Sequence, residues 1–304
     1  MYIYRCMKLF RLHSTTCKSF AKINLALYVK GTREDGYHLL DSVVLPTTIH
    51  DVIEVSVNEY AKNTTVICDL PLLQKNHHNL CQRAVDAMRK HYGFKEHFEI
   101  RIHKVIPVAA GMGGGSSNAA CVLKAVNKLL KLGATDDELR EIALELGADV
   151  PFFIDPQPVR MTGIGEVLEP IDMAHSYYIL LIAPAKGLVT KEVFAVYDKI
   201  GSDGGNCDQL VKDLAEGNDA NLINDIDNEL YPAALSLYPE LKDDIEMVKG
   251  LGAEIVSMTG SGSAFFALSK DRKAIMNAEL ILMEKGYKVF SGKVGRIQDF
   301  KKSK

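Results

Sequence analysis

The chain of 304 residues is 47% hydrophobic and 25% charged, the make-up of a folded globule long enough for two cores. A formal net charge of -3 at pH 7 gives no general attraction to phosphate polymers or anionic lipid, so neither nucleic acid nor a membrane surface is an expected partner. The apolar runs fall short of a membrane span of ~20 residues. The six cysteines (Cys6, Cys17, Cys68, Cys81, Cys121, Cys207) lack the paired spacing of a zinc site, which points to reduced thiols in a cytoplasmic protein.

The opening "MYIYRCMKLFRLHSTTCKSF" is basic and without acid, but it has neither a continuous apolar core nor a small-residue cleavage site. Its alternation around "MKLFRLH" reads as an edge strand. Strands are predicted over "SFAKINLALYV", "SVVLPTTI" and "DVIEVSV", with "TREDGYH" turning between the first two. His77 and His78 are neighbours that point apart, in a surface loop. "NLCQRAVDAMRKHYG" is a helix capped by Asn79 and stopped by Gly93, and "HFEIRIHKVIPV" is a strand leading to a glycine-rich stretch.

Beyond that stretch, Ala119, Val122, Leu123, Val126 and Leu130 recur at helical spacing, with Gly133 as the exit. Thr135 and Glu138 have capping-box spacing ahead of a second helix, whose apolar face is Leu139, Ile142, Ala143 and Leu146 and whose stop is Gly147. Cys121 lies in an apolar helical stretch as a small hydrophobe. "VPFFI" reads as a short strand or extended segment, and the Gly and Pro content of residues 155–165 marks a boundary.

The second half is read as strand "SYYILLIAP", helix "TKEVFAVYDKI", a loop at 201–206, and helix "LYPELKDDIEMVKGLG". Strands "AEIVSMTG" and "SAFFALS", helix "RKAIMNAELILMEKG" and strand "YKVFSGKV" follow. Strands and helices interleave in both halves, which predicts an α+β fold of two lobes, residues 1–165 and 166–304.

The stretch "AGMGGGSSNAA" at 110–120 sets the functional question. A dinucleotide fingerprint fails because Ser116 stands at its third glycine, and a P-loop of the NTPase type fails because no lysine lies between Ala109 and Val122. The protein-kinase glycine loop fails at the same serine. What remains is their shared physics. Gly111, Gly113, Gly114 and Gly115 let successive N–H groups converge on an anion, and a helix starting near Ser116 or Ser117 turns its positive end toward it. Ser116 and Ser117 could cap that helix or reach a phosphate oxygen. A Cβ at Gly114 is expected to crowd the phosphate and leave the fold intact. The plain alternative is a loop that needs positive φ, for which one or two glycines would suffice.

Five stretches then carry a resemblance: "FAKINLALYVKGTREDGYHLLDSV", "IPVAAGMGGGSSNAACVLKAVN", "LGADVPFF", "PAKGLVTKEVF" and "MTGSGSAFFAL". In this order they resemble the GHMP kinase superfamily, whose phosphate loop has the form P-x-x-x-G-L-G-S-S. The first and fourth are most similar to the member acting on a cytidine diphosphate-linked methylerythritol. Met112 stands where the superfamily has leucine, Ala109 and Ala110 where it often has glycine, and residues 201–206 look like a local insertion.

The resemblance implies a two-lobed fold with the active site in the cleft between lobes. It implies Mg-ATP as donor, with cofactors ATP and Mg2+ and no metal ligand assigned in the protein, and phosphorylation of the 2-hydroxyl of the cytidyl substrate by a monomer or homodimer. Pro107, the loop glycines, Ser116 and Ser117 would face the nucleotide, with Asn79, Lys104 and Asn118 near it. Lys22 and Asp149 would meet at the acceptor hydroxyl, where Asp149 takes the proton while Lys22 keeps it ionised and stabilises developing charge. Tyr37 and Phe194, approaching from different lobes, would sandwich the cytosine, and His38 would read its edge. Asn24, Thr190, Gly260 and Gly262 would complete the acceptor site. Read without the resemblance, Lys104 is a solvated strand-end lysine, Asp149 a solvated loop acid, Phe194 a core aromatic and "TGSGS" a tight hairpin turn. Three other functions stay open: a homoserine, mevalonate or sugar kinase, a nucleotide sensor without turnover, and a protein that binds some other anion.

Overall fold

The computed structural model describes residues 13–70, 79–108, 110–202 and 204–296. The predictions for "MKLFRL", His77, His78 and Ala109 lie outside these residues. No helix among the described residues is long and apolar enough to cross a membrane. Mutual contacts sort the described residues into two compact units, and neither is one run of chain. The first holds the residues up to Phe20, His50–Ile106 and Gly114–Asp155; the second holds Ala21–Ile49, Pro107–Gly113 and the residues from Pro156 on. The division expected at residue 165 runs along the chain, whereas this grouping interleaves. The reason is that strands β1 (Ser14–Thr32) and β2 (His38–Val57) are long enough to serve both units.

β2 also corrects the expectation of separate strands "SVVLPTTI" and "DVIEVSV", which form one strand of 20 residues. The strand runs unbroken through Pro46, whose carbonyl accepts from the Gly295 N–H at 3.3 Å.

In the first unit β2 pairs antiparallel with β4 (Phe98–His103), and β3 (Thr65–Cys68) pairs parallel with β4. The alternation of β4 buries Phe98, Ile100 and Ile102. Three helices pack on one another: α1 (Leu80–Tyr92), α2 (Gly114–Leu130) and α3 (Asp136–Leu146). The predicted ends of α1 and the predicted start of α3 hold. Asn79 accepts from the Cys81 N–H, Gly93 takes a left-handed φ of 71°, and Thr135 and Glu138 form the reciprocal capping box. Ala119, Val122, Leu123 and Val126 are buried on α2, and burying each Val or Leu side chain contributes ~1.5–3 kcal/mol. "VPFFI" is not extended. Pro151–Phe153 is a 3-10 turn, and Val150 to Ile154 are all buried, which a strand with one wet face could not arrange.

In the second unit the strand order is β2, β10 (Lys288–Val294), β7 (Tyr177–Ala183), β9 (Phe265–Ser269), β8 (Ile255–Met258), paired antiparallel throughout. β5 (Val159–Gly163) joins β2, and β6 (Val167–Pro170) joins β5. Helices α4 (Thr190–Ile200), α5 (Asp208–Glu216), α6 (Asp219–Asp225), α7 (Tyr231–Leu237), α8 (Leu241–Lys249) and α9 (Arg272–Glu284) complete it. The core sets Leu180, Ile182, Phe265 and Ala267 from the sheet against Ile245 and Val248 of α8 and Ile275, Ala278 and Leu282 of α9. Strands β3, β5 and β6 and helices α5 to α7 are absent from the sequence-based reading.

Candidate active site

The glycine stretch divides its work. Gly111 and Gly113 take φ of +69° and +68°, a region closed to most side chains, whereas Gly114 and Gly115 already belong to α2. The helix therefore begins two to three residues before the expected Ser116 or Ser117. Neither serine is its cap; both lie inside the opening turns, with Ser117 2% exposed. A Cβ on Gly114 would stand 3.0 Å from Ile106 Cγ2 and 3.2 Å from Lys104 Nζ, so the bare position serves packing behind the helix. On Gly115 it would meet Leu80 Cδ1 at an ordinary 3.6 Å. Pro107 is half-buried, in the segment leading from the β4 end to the loop.

Lys104 is not a solvated lysine. Its side chain is 4% exposed, and Nζ lies 2.5 Å from Oδ2 of Asp51, itself fully buried. Asp51 Oδ2 also accepts from Asn118 Nδ2 at 2.8 Å, while Oδ1 accepts the N–H groups of Val105 and Ile106 at 2.7 and 2.8 Å. Asn118 Nδ2 donates further to Ser19 Oγ at 2.8 Å. Lys104 and Asn118 are thus brought together by a residue that sequence reasoning missed. A signal existed: in "DVIEVSV" the alternation puts Asp51 on one face with Ile53 and Val55, a lone acid on a buried apolar face. Asn79, by contrast, spends its side-chain oxygen on capping α1 at Cys81 N, 2.9 Å.

In the second unit Lys22 is 5% exposed and donates through Nζ to Asn24 Oδ1, while its main-chain N–H donates to Met112 O at 3.1 Å. Asn24 Nδ2 donates to Ser42 Oγ at 2.8 Å, and the Asn24 N–H reaches Thr259 Oγ1 at 2.8 Å. A Cβ on Gly260 would lie 3.3 Å from Gly111 O and 3.6 Å from Asn24 Oδ1. The structure therefore joins three distant stretches, "FAKIN", "GMG" and "TGSGS", into one group of polar atoms around a buried ammonium. The last of these is a six-residue connection, 259–264, with Gly260 and Gly262 at positive φ, rather than a tight turn. Thr190 Oγ1 is 2.9 Å from Ser261 Oγ, which adds the start of α4 to the group.

Asp149 is half-buried in the turn between α3 and Pro151, held by Val150 N–H donating to Gly147 O at 3.1 Å. His38 stacks on Phe194, centroids 4.4 Å apart and 24° between planes, and its Nε2 lies 2.7 Å from Asp198 Oδ1. Phe194 and Tyr37 belong to the same unit, contrary to the expectation of an approach from different lobes, and Tyr37 is 58% exposed at the β1–β2 turn. The His38 ring thus occupies one face of Phe194, and of the side-chain and backbone contacts expected to read a base edge, the ring Nε2 already has a carboxylate.

Deeper in this unit, Arg160 makes a two-pronged pair with Asp41 at 2.8 and 2.7 Å, and Asp41 also accepts from Cys207 N–H at 3.1 Å. Burial raises the Asp41 carboxyl, but the Arg160 hydrogen bonds and the Cys207 N–H outweigh it and hold the group below its ordinary value. This arrangement ties β2 and β5 to the start of α5 and plays no part in the proposed chemistry.

Among known proteins, the descriptions "GHMP kinases N terminal domain" and "GHMP kinases C terminal" match residues 79–155 and 210–288. The chain is 32% identical over 274 residues to a 4-diphosphocytidyl-2-C-methyl-D-erythritol kinase of Chlorobium phaeobacteroides, covering 90% of this chain and 92% of that one. It is 36% identical over 256 residues to the kinase of the same name from Clostridium botulinum, covering 84% and 90%. A crystal structure of 4-(cytidine 5'-diphospho)-2C-methyl-D-erythritol kinase superposes with a TM-score of 0.78 at 30% identity, over 92% of this chain and 99% of the other. With the relatives matched over about nine-tenths of their length and the fold shared, the chain belongs to the 4-diphosphocytidyl-2-C-methyl-D-erythritol kinase family of the GHMP kinases.

Proposed function

We propose that the protein transfers the γ-phosphoryl group of ATP to the 2-hydroxyl of 4-diphosphocytidyl-2-C-methyl-D-erythritol, giving the 2-phosphate and ADP, within isoprenoid precursor synthesis. The observation that carries this reading is the likeness to relatives of that name along nearly all of both chains. Phosphoryl transfer asks a protein to position a hydroxyl and to neutralise charge spread over the moving group. The N–H groups at the start of α2 supply donors for the triphosphate, with Ser116 and Ser117 in the same turns. Lys22 supplies a fixed positive charge, kept in place by Asn24. Asp149 orients the acceptor hydroxyl and receives its proton as the bond to phosphorus forms and the bond to the ADP oxygen breaks.

Mg2+ enters with the triphosphate and neutralises its charge. Among the described residues no group of three or more His, Cys, Asp or Glu side chains is arranged to hold a metal. Asn79, Lys104, Pro107 and Asn118 serve the nucleotide; Tyr37, His38, Thr190, Phe194, Gly260 and Gly262 serve the acceptor. We take residues 1–165 and 166–304 as the N-terminal, ATP-binding half and the C-terminal half of the kinase in sequence terms, a division that the compact units of the fold cross. The enzyme acts in the cytoplasm as a monomer or homodimer on small molecules alone.

The test is coupled ADP release from purified protein with 4-diphosphocytidyl-2-C-methyl-D-erythritol, against the same compound lacking its cytidylyl group. Turnover with the first and little with the second is expected. Equal turnover, or turnover only with homoserine or mevalonate, would refute the assignment.

A further inference from the structure

The mechanism above makes no use of Asp51, yet few charges in the molecule are so completely enclosed. It is 0% exposed, and both carboxylate oxygens are filled by four donors. Two of these, the N–H groups of Val105 and Ile106, hold the chain just beyond β4. The other two are Lys104 Nζ and Asn118 Nδ2, on the same oxygen, Oδ2. Lys104 Nζ stands 3.2 Å from where a Cβ on Gly114, the first residue of α2, would lie. That end of α2 carries unsatisfied N–H groups and the positive end of a helix of 17 residues.

A lysine has many rotamers in solution, and choosing one costs entropy when a ligand must do it. Asp51 fixes that choice beforehand. An amide could not replace the carboxylate: Asn at 51 would keep one oxygen for the two main-chain N–H groups and turn its own NH2 toward the donors of Lys104 and Asn118.

We propose that Asp51 is the positioning residue of the nucleotide site: one carboxylate holds the Lys104 ammonium and the Asn118 amide against the first turns of α2, where ATP is to bind. This rests on the kinase reading above. Asp51 touches no substrate, and its influence passes through Lys104 and Asn118, so it governs ATP rather than the acceptor.

The experiment titrates Mg-ATP calorimetrically into the full-length protein and into Asp51→Asn, Lys104→Met and the double variant, with KM for each substrate and a thermal melt. Asp51→Asn is expected to weaken Mg-ATP binding at least tenfold with acceptor KM within twofold. Lys104→Met should do likewise, and the double variant should lie within twofold of the weaker single one, since both changes remove the same held ammonium.

A loss below tenfold in Asp51→Asn overturns the proposal. So does a parallel rise of both KM values, which would mean a scaffold role, or a double variant tenfold weaker than Lys104→Met, which would mean the carboxylate acts independently. Asp51→Asn leaves a buried ammonium unpaired and could fail to fold; the double variant has no unpaired buried charge and then decides in its place. In that case Mg-ATP affinity within twofold of Lys104→Met and at least tenfold below the parent supports the proposal, and any other value overturns it. A parent that binds no Mg-ATP overturns the kinase reading itself, an outcome distinct from all of these.

Discussion

Gly114 and Gly115 are neighbours in one helical turn, and the structure predicts opposite signs for the same substitution. Replacing a helical glycine by alanine gains up to ~1 kcal/mol of backbone entropy and propensity. At Gly115 nothing opposes the gain, because the new methyl group meets Leu80 Cδ1 at 3.6 Å. Gly115→Ala should therefore stabilise the protein by about 0.5–1 kcal/mol. At Gly114 the methyl group would press on Ile106 at 3.0 and 3.3 Å and on Lys104 Nζ at 3.2 Å, and Ile106 is itself 1% exposed. Overpacking of this kind costs ~1–3 kcal/mol, so Gly114→Ala should come out destabilised by about 1 kcal/mol and Gly114→Val by more. Urea midpoints for the parent and the three variants read these signs directly, and each kcal/mol moves a thermal midpoint by roughly 2 °C in a chain of this size. A parallel Mg-ATP titration separates packing from binding. If Gly114→Ala is as stable as the parent, or Gly115→Ala less stable, the argument from Cβ contacts is wrong.

Asp149→Asn should lower kcat by about two to four orders of magnitude with Mg-ATP affinity nearly unchanged, and a kcat within a few-fold of the parent would remove its assigned role. Phe194→Ala removes the His38 stack and, on the proposed reading, a face for the cytosine. Acceptor KM should rise about 5- to 100-fold with little change for ATP, the span of one lost stacking contact, and an unchanged acceptor KM would make Phe194 a core residue only. The Asp41 carboxyl titrates lower in the folded state than in the unfolded one, so its contribution to stability is present above the unfolded carboxylate pKa of ~3.9 and is lost as pH falls below it. Urea midpoints between pH 6 and pH 3 should accordingly fall less steeply in Asp41→Asn than in the parent; parallel slopes would show that Asp41 carries no linkage.

Local signals in the chain settled a good deal. The Thr135 box, the Asn79 cap, the left-handed Gly93 and the alternation of β4 are decided by neighbours within four residues, so they are legible before any tertiary contact exists. The order of the five family stretches likewise pointed to the kinase family. Elements whose existence depends on partners far away were not legible. β5 and β6 are five and four residues long and are strands because β2 is there to pair with β5, and β5 in turn with β6.

The candidate site shows the same split. That glycines at 110–120 invite an anion follows from bare backbone before a helix. That Gly114 is bare for Ile106, that Lys104 is committed to Asp51, and that Lys22, Asn24, Met112 and Thr259 form one hydrogen-bonded group is decided only when segments up to 235 residues apart meet. A side chain's type fixes what it can donate or accept, but the folded chain decides which partner reaches it once water is excluded, because a buried polar group must then find its hydrogen bonds within the protein.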